Sequence, residues 1–121
     1  MPYALCPYTP STMKTSEINF KVTLDENNLP VTIDWEASDA GEKSSCKSAM
    51  ITLWDAKENN TLRIDLWTKD MLVDEMKIFF HQSLLSMADT LRRATGEEKM
   101  ADDLKDYCVH FADKMNLLKK S

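Results

Sequence analysis

From Glu17 to Asp25 apolar and polar residues alternate. Ile18, Phe20, Val22 and Leu24 point one way; Asn19, Lys21, Thr23 and Asp25 point the other. A period of two is the signature of a half-buried strand. Glu26-Asn27-Asn28 follows as turn chemistry, because Asn tolerates left-handed backbone. Pro30 then opens a second strand at its first residue, where the missing N–H is tolerated. Val31, Ile33 and Trp35 form its apolar face, and Thr32, Asp34 and Glu36 its polar face. The pair reads as an antiparallel hairpin.

Residues 38–43 read as a loop. Cys46, Ala49, Met50, Leu53 and Ala56 then recur at helical spacing, with Trp54 at the edge of their face, so a helix is expected over 44–58. Residues 61–67 predict a third strand, with Leu62, Ile64 and Leu66 inward and Arg63, Asp65 and Trp67 outward. Asp70 or Asp74 suits the start of a long helix, since a carboxylate accepts bonds from free N-terminal N–H groups. Val73, Met76, Phe80, Leu84, Met87, Ala88 and Leu91 give that helix a broad apolar face. Ile78 and Leu85 lie nearly opposite, at about 100° per residue. A helix apolar on two sides is covered twice, by another helix of the chain or by a second subunit. Thr95 and Glu98 have the spacing of a capping box. A last helix follows to about Leu118, with Met100, Leu104, Tyr107, Cys108, Phe111, Met115 and Leu118 on one stripe. It is expected to pack antiparallel to the long helix through the turn at 94–96.

The expected order is therefore β-β-α-β-α-α. It implies an α+β domain of two layers: a small, mostly antiparallel three-stranded sheet with helices on one face. The strand order 2-1-3 is expected, which leaves the Arg63-bearing strand as an edge open to another chain. Residues 1–15 carry three prolines and no periodicity, and read as a loosely attached or disordered tail before a single domain over 16–121.

Composition narrows the function. The 121 residues are 43% hydrophobic and 29% charged, with a net charge of −5 and a pI near 5.0. An acidic chain lacks the basic face that nucleic acid or an anionic membrane surface requires. No apolar run approaches the roughly 20 residues of a membrane span. The N-terminal stretch lacks the charged and apolar regions of a signal peptide. Cys6, Cys46 and Cys108 are odd in number and widely spaced, as free thiols in a reducing compartment are. A cytoplasmic location is expected.

Site chemistry is sparse. His81 has no ligand-type neighbour at helical spacing, and His110 has Asp106 and Asp113, a common surface arrangement of charges rather than a metal-ligand set. The carboxylates Asp65, Asp70, Asp74 and Glu75 lie close in sequence; strand decoration and helix capping account for them better than cation binding. Two glycines build no phosphate loop. No enzyme activity, cofactor or metal is expected. Trp35 and Trp54 fall on expected core faces. Trp67 points outward, where either a tail or loop covers it or it anchors a partner. The surfaces suited to a protein partner are the outward sheet face, with Lys21, Asp34, Arg63, Asp65 and Trp67 beside Thr23 and Glu36, and the second side of the long helix, with Ile78 and Leu85.

The run LRIDLWTKDM, VDEMKIFFHQ and SMADT between Leu62 and Thr90 resembles the gliding-motility protein GldC family of gliding bacteria. LDEN (Leu24–Asn27), IDW (Ile33–Trp35), the LWD of Leu53–Asp55 with Lys57, and RAT and EEKM between Arg93 and Met100 extend the likeness over about residue 14 to the end. Leu72 departs from the proline expected at the start of that family's helix. The resemblance implies a small accessory protein of the gliding machinery associated with type IX secretion, with protein partners and no catalytic residues to carry over. Alternatives from other classes are a small acidic secretion chaperone acting as a homodimer, and a ligand-binding domain or enzyme using the acidic cluster.

Overall fold

The computed structural model describes residues 13–38 and 41–118. The expected tail lies outside these residues except for 13–15. Five strands precede two helices: β1 (Ile18–Leu24), β2 (Pro30–Ala37), β3 (Glu42–Cys46), β4 (Ser48–Asp55), β5 (Asn60–Trp67), α1 (Val73–Thr95) and α2 (Glu98–Lys114). The class is α+β. The chain divides into two compact units, the strands within Met13–Leu72 and the helices from Val73 onward.

In the strand unit, β1, β2 and β3 form one antiparallel sheet with β2 in the middle, and β4 and β5 form a second of two strands. The first hairpin follows the alternation. Phe20 pairs with Trp35 and Val22 with Ile33 on the apolar face; Lys21 pairs with Asp34 on the polar face. Asp25 shapes the turn. Its carboxylate accepts the N–H of Asn27 at 2.8 Å and of Leu29 at 3.0 Å, and Asn28 takes a left-handed backbone at φ 64°.

The helix expected over 44–58 is not formed; β3 and β4 occupy that segment. Ala49, Ile51 and Leu53 also alternate, and β5 offers them partners at the same period: Ala49 pairs with Leu66, Ile51 with Ile64 and Leu53 with Leu62. Ile51, Thr52 and Trp54 are residue types that suit a pleated surface. The helical spacing of Cys46, Ala49, Met50 and Leu53 is a coincidence that cross-strand pairing overrides. The expected strand order 2-1-3 is corrected with it. β2, not β1, is central, because β3 pairs along the free edge of β2, while no described strand fills the edge of β1 expected for the Arg63-bearing strand. That strand, β5, pairs with β4 instead.

One continuous segment thus serves both sheets. Cys46 opposes Ile33 in the first sheet, and Ala49 opposes Leu66 in the second. The apolar register steps from 46 to 49, so the chain takes up an extra residue at the bend of Lys47. Bends of this kind let a strand pass from one sheet to another. The end of β5 closes back on the first hairpin. The Lys69 N–H donates to the Pro30 carbonyl at 3.0 Å, and the Lys69 ammonium meets the Asp25 carboxylate at 2.8 Å. Ile33 is fully buried, and Ala49 and Thr68 are buried with it.

The helical unit is an antiparallel hairpin, as the spacing predicts. His81 Nε2–H donates to the Cys108 carbonyl at 3.1 Å, and Asp89 pairs with Lys105 at 3.2 Å further along. The stripe of α1 that meets α2 runs through His81 and Ala88, seven residues apart on one helix face. α2 therefore meets the Ala88 flank of the broad apolar face, and Phe80 at the centre of that face is half-exposed. The buried residues of the hairpin are Ala88, Ala101, Cys108 and Ala112. Small side chains let the two backbones approach, which leaves the larger Met100 and Tyr107 of the expected stripe at its flanks. Thr95 does not cap α2. Its hydroxyl donates to the Leu91 carbonyl at 2.7 Å and closes the last turn of α1, and Gly96 at φ 76° ends that helix. α2 ends earlier than expected because Asn116 is left-handed at φ 62°. The Leu117 N–H then reaches back to the Ala112 carbonyl at 2.8 Å and the Asn116 N–H to Asp113 at 3.1 Å, the paired bonds of a Schellman end.

Candidate partner-binding surface

The outward face expected of a single sheet is divided between two. On the three-stranded sheet, Lys21 stands opposite Asp34 and Glu36 opposite Lys43. Opposite charges across a strand pair are mutually stabilising. Ser45 donates to Asp34 at 2.6 Å. With Asn19 these residues line a shallow depression of about 340 Å³. Its charges are balanced, which suits a charged protein segment. Lys43 and Ser45 were not expected here. β3 reads EKSSC, which carries no alternation of apolar residues, so only its pairing with β2 brings them to this face.

On the two-stranded sheet, Arg63 pairs with Asp65 at 2.7 Å and donates to the Thr52 hydroxyl at 2.8 Å. Both charges are well exposed, so the pair contributes at most about 1 kcal/mol. Trp67 stands at one end of this face, opposite Ser48, and is exposed. Trp54 stands at the other end, opposite Thr61. It is 67% exposed, not in the core as expected, because β4 is a strand whose even-numbered residues face outward. Two exposed indoles thus bracket a small charged patch, a composition enriched at protein interfaces.

Ile78 and Leu85, on the second apolar side of α1, are 45% and 37% exposed. His81 is occupied inside the hairpin, stacked on Phe111 with centroids 6.1 Å apart. His110 lies 5.7 Å from the Tyr107 ring.

The acidic cluster does not act as a unit. Asp65 serves Arg63. Asp70 accepts the Thr68 hydroxyl at 2.6 Å, a bond that holds its carboxyl below the usual range. Asp74 and Glu75 lie in the first turn of α1, where the helix dipole favours them. Among the described residues no group of three or more His, Cys, Asp or Glu is placed to hold a metal ion. Cys46 and Cys108 are free thiols, and desolvation pushes both thiols up. Among the described residues no helix is long and apolar enough to cross a membrane.

A family model described as gliding motility-associated protein GldC-like matches residues 30–117. The chain belongs to the GldC-like family. The match begins at the first residue of β2 and runs past α2, so it takes in the central strand, both halves of the second sheet and the helical hairpin. No curated protein and no solved structure matches the chain. Within the GldC-like region lie Asp34, Arg63, Asp65, Trp67, Ile78 and Leu85; Lys21 lies before it.

Proposed function

We propose that this chain is a non-enzymatic interaction protein of the gliding machinery, working in the cytoplasm beside the type IX secretion apparatus. The observation that carries the reading is the family match over most of the chain. The surfaces are consistent with it. The exposed residues of both sheets form charge-balanced faces, that of β4 and β5 with two indole anchors, and Asp65 and Asp70 have separate partners. Protein partners would meet the Lys21, Asp34, Glu36 and Lys43 face by complementary charge, which governs specificity and encounter rate more than raw affinity.

Affinity capture of the tagged chain from a gliding bacterium tests this. Recovery of a gliding or secretion component is expected, with loss of that component on joint reversal of Lys21 and Asp34 to Glu and Lys. Deletion of the gene is expected to impair gliding. Normal gliding in the deletion strain overturns the reading, as does recovery of the chain in the periplasmic fraction.

A further inference from the structure

We propose that two copies of this chain join through β5, antiparallel about a two-fold axis at Ile64, to make one four-stranded sheet from two β4–β5 hairpins. Among the described residues β5 pairs with β4 alone, so its other edge carries unpaired backbone groups. The parity of the ladder identifies them. The Thr68 N–H donates to the Lys47 carbonyl, and in an antiparallel pair alternate residues face alternate sides. Leu62, Ile64 and Leu66 therefore bond to β4, while Thr61, Arg63, Asp65 and Trp67 direct their N–H and C=O groups to the open edge.

That edge is complementary to itself in one register. With the axis at Ile64, Arg63 of each copy lies opposite Asp65 of the other, so both ion pairs form across the dyad. Thr61 lies opposite Trp67, Leu62 opposite Leu66, and Ile64 opposite its own mate. Outward-facing residues meet outward-facing residues throughout, as the hydrogen-bond ladder demands. Moving the axis to Arg63 or to Asp65 keeps the parity but sets like charges face to face, which is destabilising. Moving it between residues sets outward groups against inward ones. Charge and parity together select the Ile64 register.

The rest of the edge is suited to pairing. β5 is 8 residues long with no proline and keeps an unbroken register with β4. Protective devices of exposed edges are bulges, prolines and lysines. β1, one outer strand of the other sheet, has such a device, a register shift between Thr23 and Leu24; β5 has no bulge, proline or lysine, and its two charges, Arg63 and Asp65, are the pair that the two-fold axis matches. The ladder would stop at Trp67, because the next outward N–H, on Lys69, is taken by Pro30. Pairing also extends a two-stranded sheet, which is marginal by itself, to four strands with one continuous apolar face. The interface is isologous, as closed dimers are.

Sedimentation velocity tests the proposal on the full chain. The wild type is expected at twice 13.9 kDa. Arg63→Asp alone and Asp65→Arg alone are each expected to shift to the monomer, since each sets like charges across the dyad. An equimolar mixture of these two variants is expected to recover the dimer, because every facing pair is then of opposite sign; so is the chain carrying both changes. A monomeric wild type overturns the proposal, and so do single variants that remain dimeric. Circular dichroism checks that the single variants fold. If they do not, Ile64→Cys decides: mild oxidation should yield a covalent dimer absent from the wild type treated alike, and no such product overturns the proposal.

Discussion

The hairpins β1–β2 and β4–β5 reverse direction by the same device and then meet different fates. Asp25 opens the first turn and Asn28 takes the left-handed position. Asp55 opens the second, accepting the Glu58 N–H at 2.6 Å, and Asn59 is left-handed at φ 54°. Both hairpins alternate apolar and polar residues. Yet Ile33 of β2 is 0% exposed, while Leu62 and Ile64 of β5 are 49% and 50% exposed. The apolar content of the strands does not explain this, since β5 is as regular as β2. The number of strand neighbours does. β2 has one on each side; β5 has one only. Burial here is a property of position in the sheet.

Truncation at the two centres should give the largest contrast. Ile33→Ala is expected to cost about 2–5 kcal/mol, the range for a fully buried aliphatic residue. Ile64→Ala should cost much less in the monomer. Urea titrations of both variants, compared by midpoint at equal slope, measure the difference; equal costs would remove the distinction between central and outer strand.

The helical hairpin supplies the next test, because its buried residues are small, Ala88, Ala101, Cys108 and Ala112, where the first sheet buries Ile33. Ala88→Leu overfills a fully buried position and is expected to cost about 1–3 kcal/mol. A thermal melt that does not move would place the helix contact elsewhere on α1.

The shared turn device predicts matched effects. Asn28→Ala and Asn59→Ala each place an ordinary side chain in left-handed backbone and should cost about 1–2 kcal/mol. Asn28→Gly and Asn59→Gly should be near neutral.

The smallest effect concerns acid. The Lys69 ammonium and the turn N–H groups hold the Asp25 carboxyl down at about 2, from an ordinary 3.8. A folded pKa below the unfolded one means stability that is present above the unfolded value and lost as pH falls through the folded one. Between pH 3.8 and about 2 the wild type should therefore lose stability more steeply than Asp25→Asn. Urea midpoints across that window give the two slopes; parallel slopes would mean that the Lys69 contact does not tie β5 to the first turn.

Local pattern was enough for β1, β2, β5 and both helices. In each, one periodicity was present without a rival. The turn at 94–96 likewise follows from Gly96. The candidate surface residues of β1 and β2, Lys21 and Asp34, follow from the same alternation, and their register confirms that they stand opposite one another.

Two readings of 44–58 were available from the residues themselves, because Cys46, Ala49, Met50 and Leu53 satisfy a helix while Ala49, Ile51 and Leu53 satisfy a strand. Nothing local separates them; the apolar row of β5 does. β3 has no pattern at all and exists because β2 has an edge to fill, which is why Lys43 and Ser45 of the candidate surface were out of reach. Trp54 moved from the expected core to the surface for the same reason, since a change of period reassigns every side chain to a new face. Which part of α1 meets α2 was also undecided locally, because Phe80 and the Ile78–Leu85 stripe are both apolar; the buried Ala88, between the two on the helix surface, decides it with Ala101 and Ala112 by allowing close approach. The chain's own periodicities determined where most elements lie and where the chain reverses. Only tertiary structure decided which strands are neighbours and which faces are covered, because those depend on pairing between segments distant in sequence.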